Sequence, residues 1–105
     1  MPDTMENRRI APRLPLIIAV EVVEVDSGTR LSARTSDISR TGCYIDTLNP
    51  TPEGTRVRVK LSHGSEVLDL PAKIVYVSPR LGMGVQFDAS LSAQQLALLD
   101  RWLAG

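Results

Sequence analysis

The stretch Arg56-Val57-Arg58-Val59-Lys60-Leu61 alternates strictly between cations and aliphatic side chains. Neighbouring side chains of a β-strand point to opposite faces, so this alternation turns Val57, Val59 and Leu61 towards a core and the three cations towards solvent. The pattern therefore predicts a half-buried β-strand whose outer, cationic face is solvated.

Strand signals recur on both sides of this stretch. They are rich in β-branched residues or alternate in the same way, and they are separated by turn sequences such as Asp26-Ser27-Gly28-Thr29 and Ser62-His63-Gly64-Ser65. Together they give six predicted strands, at residues 16–25, 30–36, 43–47, 56–61, 66–78 and 81–87. Six strands at this spacing predict a mainly β fold, a six-stranded antiparallel β-barrel.

Two further predictions concern the longest predicted strand, 66–78. Its period of two places five side chains on one face: Leu68, Leu70, Ala72, Ile74 and Tyr76. Pro71 lacks a backbone donor, so we expect a sheet edge or a bulge at that position. Met83, on the following strand, shares a face with Val85 and Phe87 and is expected in the core.

The C-terminal segment changes from strand to helix periodicity. Ser92 and Gln95 form a capping-box pair, and apolar residues follow at helical spacing: Leu96, Leu99, Trp102 and Leu103. This pattern predicts a C-terminal α-helix over 92–104 that Gly105 ends. Its apolar face packs over the barrel or contacts another subunit, and the two arrangements are not exclusive.

The bulk composition limits the size and the partners of the protein. A chain of 105 residues suits one domain with its own core. The formal net charge is zero and only one Trp, two Tyr and one Phe are present, which argues against a nucleic-acid-binding barrel. Residues 1–7 are polar, are expected to be a flexible tail and lack a signal-peptide core. No segment is apolar enough to span a membrane, so we expect a cytoplasmic protein without membrane insertion.

The sequence contains few residues of the types that catalyse reactions or bind metals. His63 is the single histidine and lies in a predicted turn, away from any Cys/His or Ser/His/Asp constellation. Cys43 is the single cysteine, which excludes an internal disulfide and a cysteine-rich zinc site. We therefore expect a protein that is not an enzyme and has no metal site.

Two short polar clusters contain the side chains best suited to ligand binding. The first supplies Arg9 and Arg13 at RxxxR spacing with Arg8 beside them, and the second, 37–42, supplies a carboxylate, a hydroxyl and a glycine at DxSxxG spacing. An arginine fork matches a phosphate or the O6/N7 edge of guanine, and a carboxylate accepts from the N1–H and 2-amino groups of guanine. The two clusters suit a ligand with guanine and phosphate, although solvated charge and ordinary turn chemistry would also account for them.

With these motifs the sequence resembles the PilZ domain, a bacterial receptor module for cyclic di-GMP. The resemblance rests on Arg9 and Arg13, on Asp37, Ser39 and Gly42, and on the pattern Gly82-Met83-Gly84-Val85-Gln86-Phe87 of a last strand. It covers residues 8–104 and implies a PilZ-like barrel at 16–88. The barrel would be preceded by a ligand-binding arginine arm at 8–15 and followed by the helix at 92–104.

The resemblance also implies a role for each motif residue. Arg9 and Arg13 would be the principal arginine contacts with cyclic di-GMP, Asp37 and Ser39 the polar contacts, and Gly42 would let the loop close. Arg8, a further basic residue before the motif, would favour two ligand molecules per chain. Pro12 lies inside RxxxR, where it would either pre-organise the arm or misplace Arg13.

The implied protein is a cyclic di-GMP receptor that changes conformation when the second messenger binds and signals to an effector protein. It needs no cofactor and acts as a monomer or weak homodimer, in processes such as motility or biofilm formation. The alternative is a PilZ-like adaptor of pilus or motility machinery that does not bind nucleotide.

Overall fold

The structure, a computed structural model, describes residues 14–88 and 90–104, and this part of the chain forms seven strands and one helix. In chain order they are β1 Leu14–Pro15, β2 Ala19–Glu24, β3 Arg30–Ile38, β4 Gly42–Asp46, β5 Arg56–His63, β6 Glu66–Ser78, β7 Gly82–Phe87 and α1 Ala93–Ala104. None of the helical segments within these residues is long and apolar enough to cross a membrane.

Six of the strands close into an antiparallel barrel. They follow the order β3-β2-β5-β6-β7-β4, and β4 pairs back onto β3. The short strand β1 pairs with the last two residues of β3. The predicted six-stranded barrel is confirmed, and β5 shows why it forms, because Val57, Val59 and Leu61 are buried while the cations between them are exposed.

The predicted strand 16–25 begins only at Ala19 in the structure, and a buried hydroxyl group holds residues 16–18 between β1 and β2. Thr35 is fully buried, and its Oγ1 donates to the Leu16 carbonyl at 2.7 Å and accepts from the Ile18 N–H at 3.1 Å. A side chain thus replaces ladder hydrogen bonds at this point. These two hydrogen bonds satisfy the Leu16 carbonyl and the Ile18 N–H without a continuous strand.

A β-bulge in β6 overturns the predicted placement of Tyr76. Ile74 lies opposite Val85, whereas Tyr76 lies opposite Gly84, so the register shifts at Val75. One extra residue moves every later side chain to the other face of a strand. Tyr76 is therefore 39% exposed and Val77 packs against the core instead. The other four members of the predicted face, Leu68, Leu70, Ala72 and Ile74, are buried as expected.

Pro71 lies just beyond the end of the β6–β7 ladder, which gives β6 a local edge at this position, as predicted. Its carbonyl accepts from the N–H of Asp88, one residue past the end of β7. The N and O atoms of a strand residue point to the same side, so the missing donor of Pro71 faces a position where the β7 ladder has ended.

The helix α1 begins with the predicted capping box. The Ser92 Oγ accepts from the Gln95 N–H at 3.1 Å, and the Gln95 Oε1 accepts from the Ser92 N–H at 2.9 Å. Leu99 and Trp102 of its apolar face are buried in the same core cluster as the barrel side chains. The expectation that this helix packs over the barrel is confirmed.

Candidate ligand-binding surface

The turn between β3 and β4 contains the predicted residues Ser39 and Gly42. Ser39 is only 2% exposed, and its Oγ accepts from the Thr41 N–H at 3.1 Å. Its own N–H donates to the Gly42 carbonyl at 2.8 Å. The hydroxyl of Ser39 thus lies inside the turn and fixes its shape.

Gly42 lies in the seam between β4 and β7, opposite Gln86. A Cβ atom on Gly42 would lie 2.0 Å from the Val85 carbonyl oxygen and 3.2 Å from the Gln86 Cα. Both atoms belong to the backbone and cannot turn away. Gly42 is therefore needed for the close approach of two strands, a requirement that its motif spacing alone does not reveal.

Asp37 is brought to the outer surface by a second bulge. Thr35 pairs with the inward-facing Ile45, whereas Asp37 pairs with Tyr44, so the register shifts at Ser36. Without this extra residue, Asp37 would share the inward face of Thr35. The bulge places Asp37 half-buried on the outer face of β3.

The two bulges align a row of residues across four neighbouring strands. Asp37 lies opposite Tyr44, Tyr44 opposite Gly84, and Gly84 opposite Tyr76. Strands are spaced about 4.8 Å apart, so the row spans about 14 Å of the outer surface. We refer to these four residues, Asp37, Tyr44, Gly84 and Tyr76, as the carboxylate–tyrosine row.

The tyrosines of this row pack over glycines of β7. Their ring centroids lie 6.0 Å apart with an interplanar angle of 33°. A Cβ on Gly84 would lie 2.1 Å from the Cε2 atom of Tyr76, and one on Gly82 would lie 2.7 Å from the Cε2 atom of Tyr44. The missing glycine side chains therefore make room for the two rings to lie against the sheet.

A carboxylate beside two aromatic rings can recognise a nucleobase. The rings offer apolar surface on which a base stacks, and the carboxylate accepts hydrogen bonds from the edge of the base. Sequence reasoning missed Tyr44 and Tyr76 because it placed Tyr76 in the core and counted too few exposed aromatics. The alternating glycines Gly82 and Gly84 were the available signal, since they leave space on one face of β7.

The turn is also tied to the helix and to β7. Arg40, at a variable position of DxSxxG, donates from Nε and Nη2 to the two carboxylate oxygens of Asp100 on α1, at 3.0 and 2.8 Å. The Thr41 carbonyl accepts from the Phe87 N–H at 2.8 Å. Any displacement of this turn would therefore act on the helix and on the end of β7.

The predicted arginine contacts Arg8, Arg9 and Arg13, together with Pro12, lie outside the described residues. The first described residues are Leu14 and Pro15, which pair with Ile38 and Asp37. The covalent chain that follows the RxxxR segment thus reaches the barrel beside Asp37.

Cys43 and His63, the other side chains considered for catalysis or metal binding, pack against neighbouring residues. Cys43 is fully buried, and His63 contacts the edge of the Trp102 ring with centroids 5.5 Å apart. Across residues 14–88 and 90–104, no group of three or more His, Cys, Asp or Glu side chains could hold a metal ion.

The chain matches the PilZ domain family over residues 7–105 and belongs to that family. PilZ domains are receptor or adaptor domains rather than enzymes. A comparison with curated proteins finds no matching sequence.

Three solved structures resemble the fold closely. The PilZ domain of CeSA from a cellulose-synthesizing bacterium is 26% identical with a TM-score of 0.68, and the match covers 90% of this chain and 96% of that one. The PilZ domain of YcgR from Escherichia coli, with c-di-GMP, is 19% identical with a TM-score of 0.74, covering 92% and 89%. The Bacillus subtilis inhibitor of motility, MotI/DgrA, is 16% identical with a TM-score of 0.75, covering 92% of this chain and half of that one.

Proposed function

We propose that this protein is a receptor for cyclic di-GMP that binds the dinucleotide on the outer face of β3, β4, β7 and β6. The observation that carries the proposal is the carboxylate–tyrosine row, in which two bulges bring Asp37 and Tyr76 into line with Tyr44. A guanine base would stack on the tyrosine rings while its N1–H and 2-amino groups donate to Asp37.

The arginine segment would complete the site from the N-terminal side. Arg9 and Arg13 would contact guanine edges and phosphates, and Arg8 would support a second ligand molecule. Because β1 pairs with Asp37 and Ile38, an arm that precedes β1 begins next to the row. The PilZ domain of YcgR was solved with c-di-GMP, which adds support from a protein of the same fold.

The motif residues of the turn would act on the ligand mainly through the backbone. Ser39 fixes the shape of the turn and Gly42 permits the close approach to β7, and the ligand would meet the surface that they shape. Ordering of the arm would be the conformational signal, read by an effector protein in the bacterial cytoplasm.

Isothermal titration calorimetry with cyclic di-GMP, beside GTP and cyclic di-AMP, tests this function. We expect selective binding at micromolar or lower Kd, with a stoichiometry near two if Arg8 supports a second molecule. Arg9→Ala or Arg13→Ala should each weaken binding by about 1–3 kcal/mol, as for loss of a bidentate contact to guanine.

A matched control for these variants is Arg30→Ala. Arg30 is exposed and paired with Glu21 on the outer face of β2 and β3, away from the row. Unchanged binding in this control is expected. No detectable binding by the wild-type protein would overturn the receptor function and leave an adaptor that acts only through protein contacts.

A further inference from the structure

Two cations of the barrel lie directly opposite each other. Arg56 on β5 pairs with Lys73 on β6, and both side chains are exposed on the outer face. The neighbouring Ile74 N–H donates to the Thr55 carbonyl, so Ile74 directs its backbone groups towards β5 and Lys73 directs its own away. Arg56 and Lys73 are therefore a non-hydrogen-bonded pair of the antiparallel ladder. In such pairs the two Cα atoms lie about 4.5 Å apart.

This arrangement is unfavourable for the barrel by itself. Like charges directly opposite each other on a sheet repel and destabilise it. Two other cations of the barrel surface are neutralised, since Arg58 pairs with Asp69 at 3.0 Å and Arg30 with Glu21 at 3.3 Å. Within the described part of the chain, neither Arg56 nor Lys73 has a carboxylate within 4.0 Å.

The pair lies beside the carboxylate–tyrosine row. Lys73 is also opposite Gln86, and Gln86 is opposite Gly42. Gln86 and Gly84 are two residues apart on one face of β7, so this second row runs about 7 Å from the first. A ligand stacked on the tyrosines would thus have two uncompensated cations at the edge farthest from the Ser39–Gly42 turn.

The geometry points to Arg56 and Lys73 as a phosphate-binding extension of the ligand surface, on the opposite side of the tyrosines from Asp37. This inference rests on the proposed function, and its ligand class is a cyclic dinucleotide, which carries two phosphodiester anions. A phosphate between the two cations would cancel their repulsion and accept hydrogen bonds from both. Because the formal net charge of the chain is zero, the contribution of Arg56 and Lys73 is that of a local pair of cations and not of a general basic surface.

The test compares Arg56→Gln, Lys73→Gln and the double variant with Lys60→Gln in calorimetric titrations with cyclic di-GMP. Lys60 is an exposed cation of the same strand, but it lies opposite Asp69 and Glu21, away from the row. We expect each site variant to bind about three- to tenfold more weakly and Lys60→Gln to bind as the wild type does. The dependence of Kd on salt should also be weaker in the double variant, because fewer charged contacts are made.

Urea unfolding of the same variants separates this role from a structural one. Removing one cation relieves the repulsion, so stability should stay equal or rise while affinity falls. Lys73→Arg keeps the charge and should keep the affinity. If the wild-type protein binds and the Arg56 and Lys73 variants bind as Lys60→Gln does, the extension is wrong while the receptor function stands. If the wild-type protein does not bind, both fail.

Discussion

The Ser39–Gly42 turn and the carboxylate–tyrosine row lie side by side, yet they differ in where their polar groups point. In the turn, the Ser39 hydroxyl is buried and bonded to Thr41, and Gly42 presses against the β7 backbone. In the row, Tyr76 is 39% exposed and the surface faces outward. The turn therefore shapes the surface, and the row is the part of that surface that we propose the ligand contacts.

This difference separates the residues that the short motif names from those that we propose contact the ligand. DxSxxG includes one residue of the row, Asp37, and two residues that hold the backbone, Ser39 and Gly42. If this division is right, substitutions in the turn should reduce stability first, and substitutions in the row should reduce binding with little loss of stability.

The largest expected effect is that of Gly42→Ala on stability. The added Cβ would meet backbone atoms of β7 at the β4–β7 seam, so we expect a loss of about 3 kcal/mol or more in the free energy of unfolding, measured in urea. Gly84→Ala is the matched control, because its Cβ would meet the Tyr76 ring, a side chain that can rotate away. Equal losses in the two variants would contradict the account of the seam.

Ser39→Ala should have the next largest effect. It removes a buried hydroxyl group that accepts from the Thr41 N–H, and we expect a loss of about 2 kcal/mol in the free energy of unfolding. Ser32→Ala changes an exposed serine of β3 and should leave stability within about 0.5 kcal/mol of the wild type. A Ser39 variant that is as stable as the wild type would show that the hydroxyl does not hold the turn.

Tyr76→Ala should act on binding more than on stability. Loss of a stacking surface should weaken binding of cyclic di-GMP by about 1.5 kcal/mol, whereas Tyr76→Phe keeps the ring and should keep most of the affinity. Leu81→Ala removes another exposed apolar side chain outside the row and should bind as the wild type does. Equal affinities for Tyr76→Ala and Leu81→Ala in calorimetry would remove Tyr76 from the site.

Asp100→Asn should have the smallest effect. The Arg40–Asp100 pair is well formed but about half exposed, so its contribution to the free energy of unfolding should not exceed about 1 kcal/mol. A double-mutant cycle with Arg40→Gln measures the pair directly. A coupling energy well above this value would mean that the turn depends on α1 more than its exposure indicates.

The barrel and helix could be predicted because their signals are local. The alternation at 56–61 and the Ser92–Gln95 capping box each specify their own element, and both are present in the structure. The PilZ resemblance assigned Asp37, Ser39 and Gly42 to one loop. In the structure Ser39 lies between the strands, whereas Asp37 belongs to β3 and Gly42 begins β4.

The row could not be predicted because register depends on partner strands. Nothing in the sequences around Ser36 and Val75 marks them as extra residues, and their effect appears only when β3 pairs with β4 and β6 with β7. A shift of one residue moved Tyr76 from the predicted core face to the outer surface and Asp37 out of the barrel. The break at Leu16–Ile18 has the same origin, since it depends on the Thr35 hydroxyl from another strand.

An NMR titration of the ¹⁵N-labelled protein with cyclic di-GMP reports ligand contact residue by residue and so tests whether the row binds the ligand. We expect the largest amide shifts at Asp37, Tyr44, Gly84 and Tyr76, with the hairpin turn 63–66 unaffected. Saturating ligand that shifts the hairpin and leaves these four amides unchanged would contradict it.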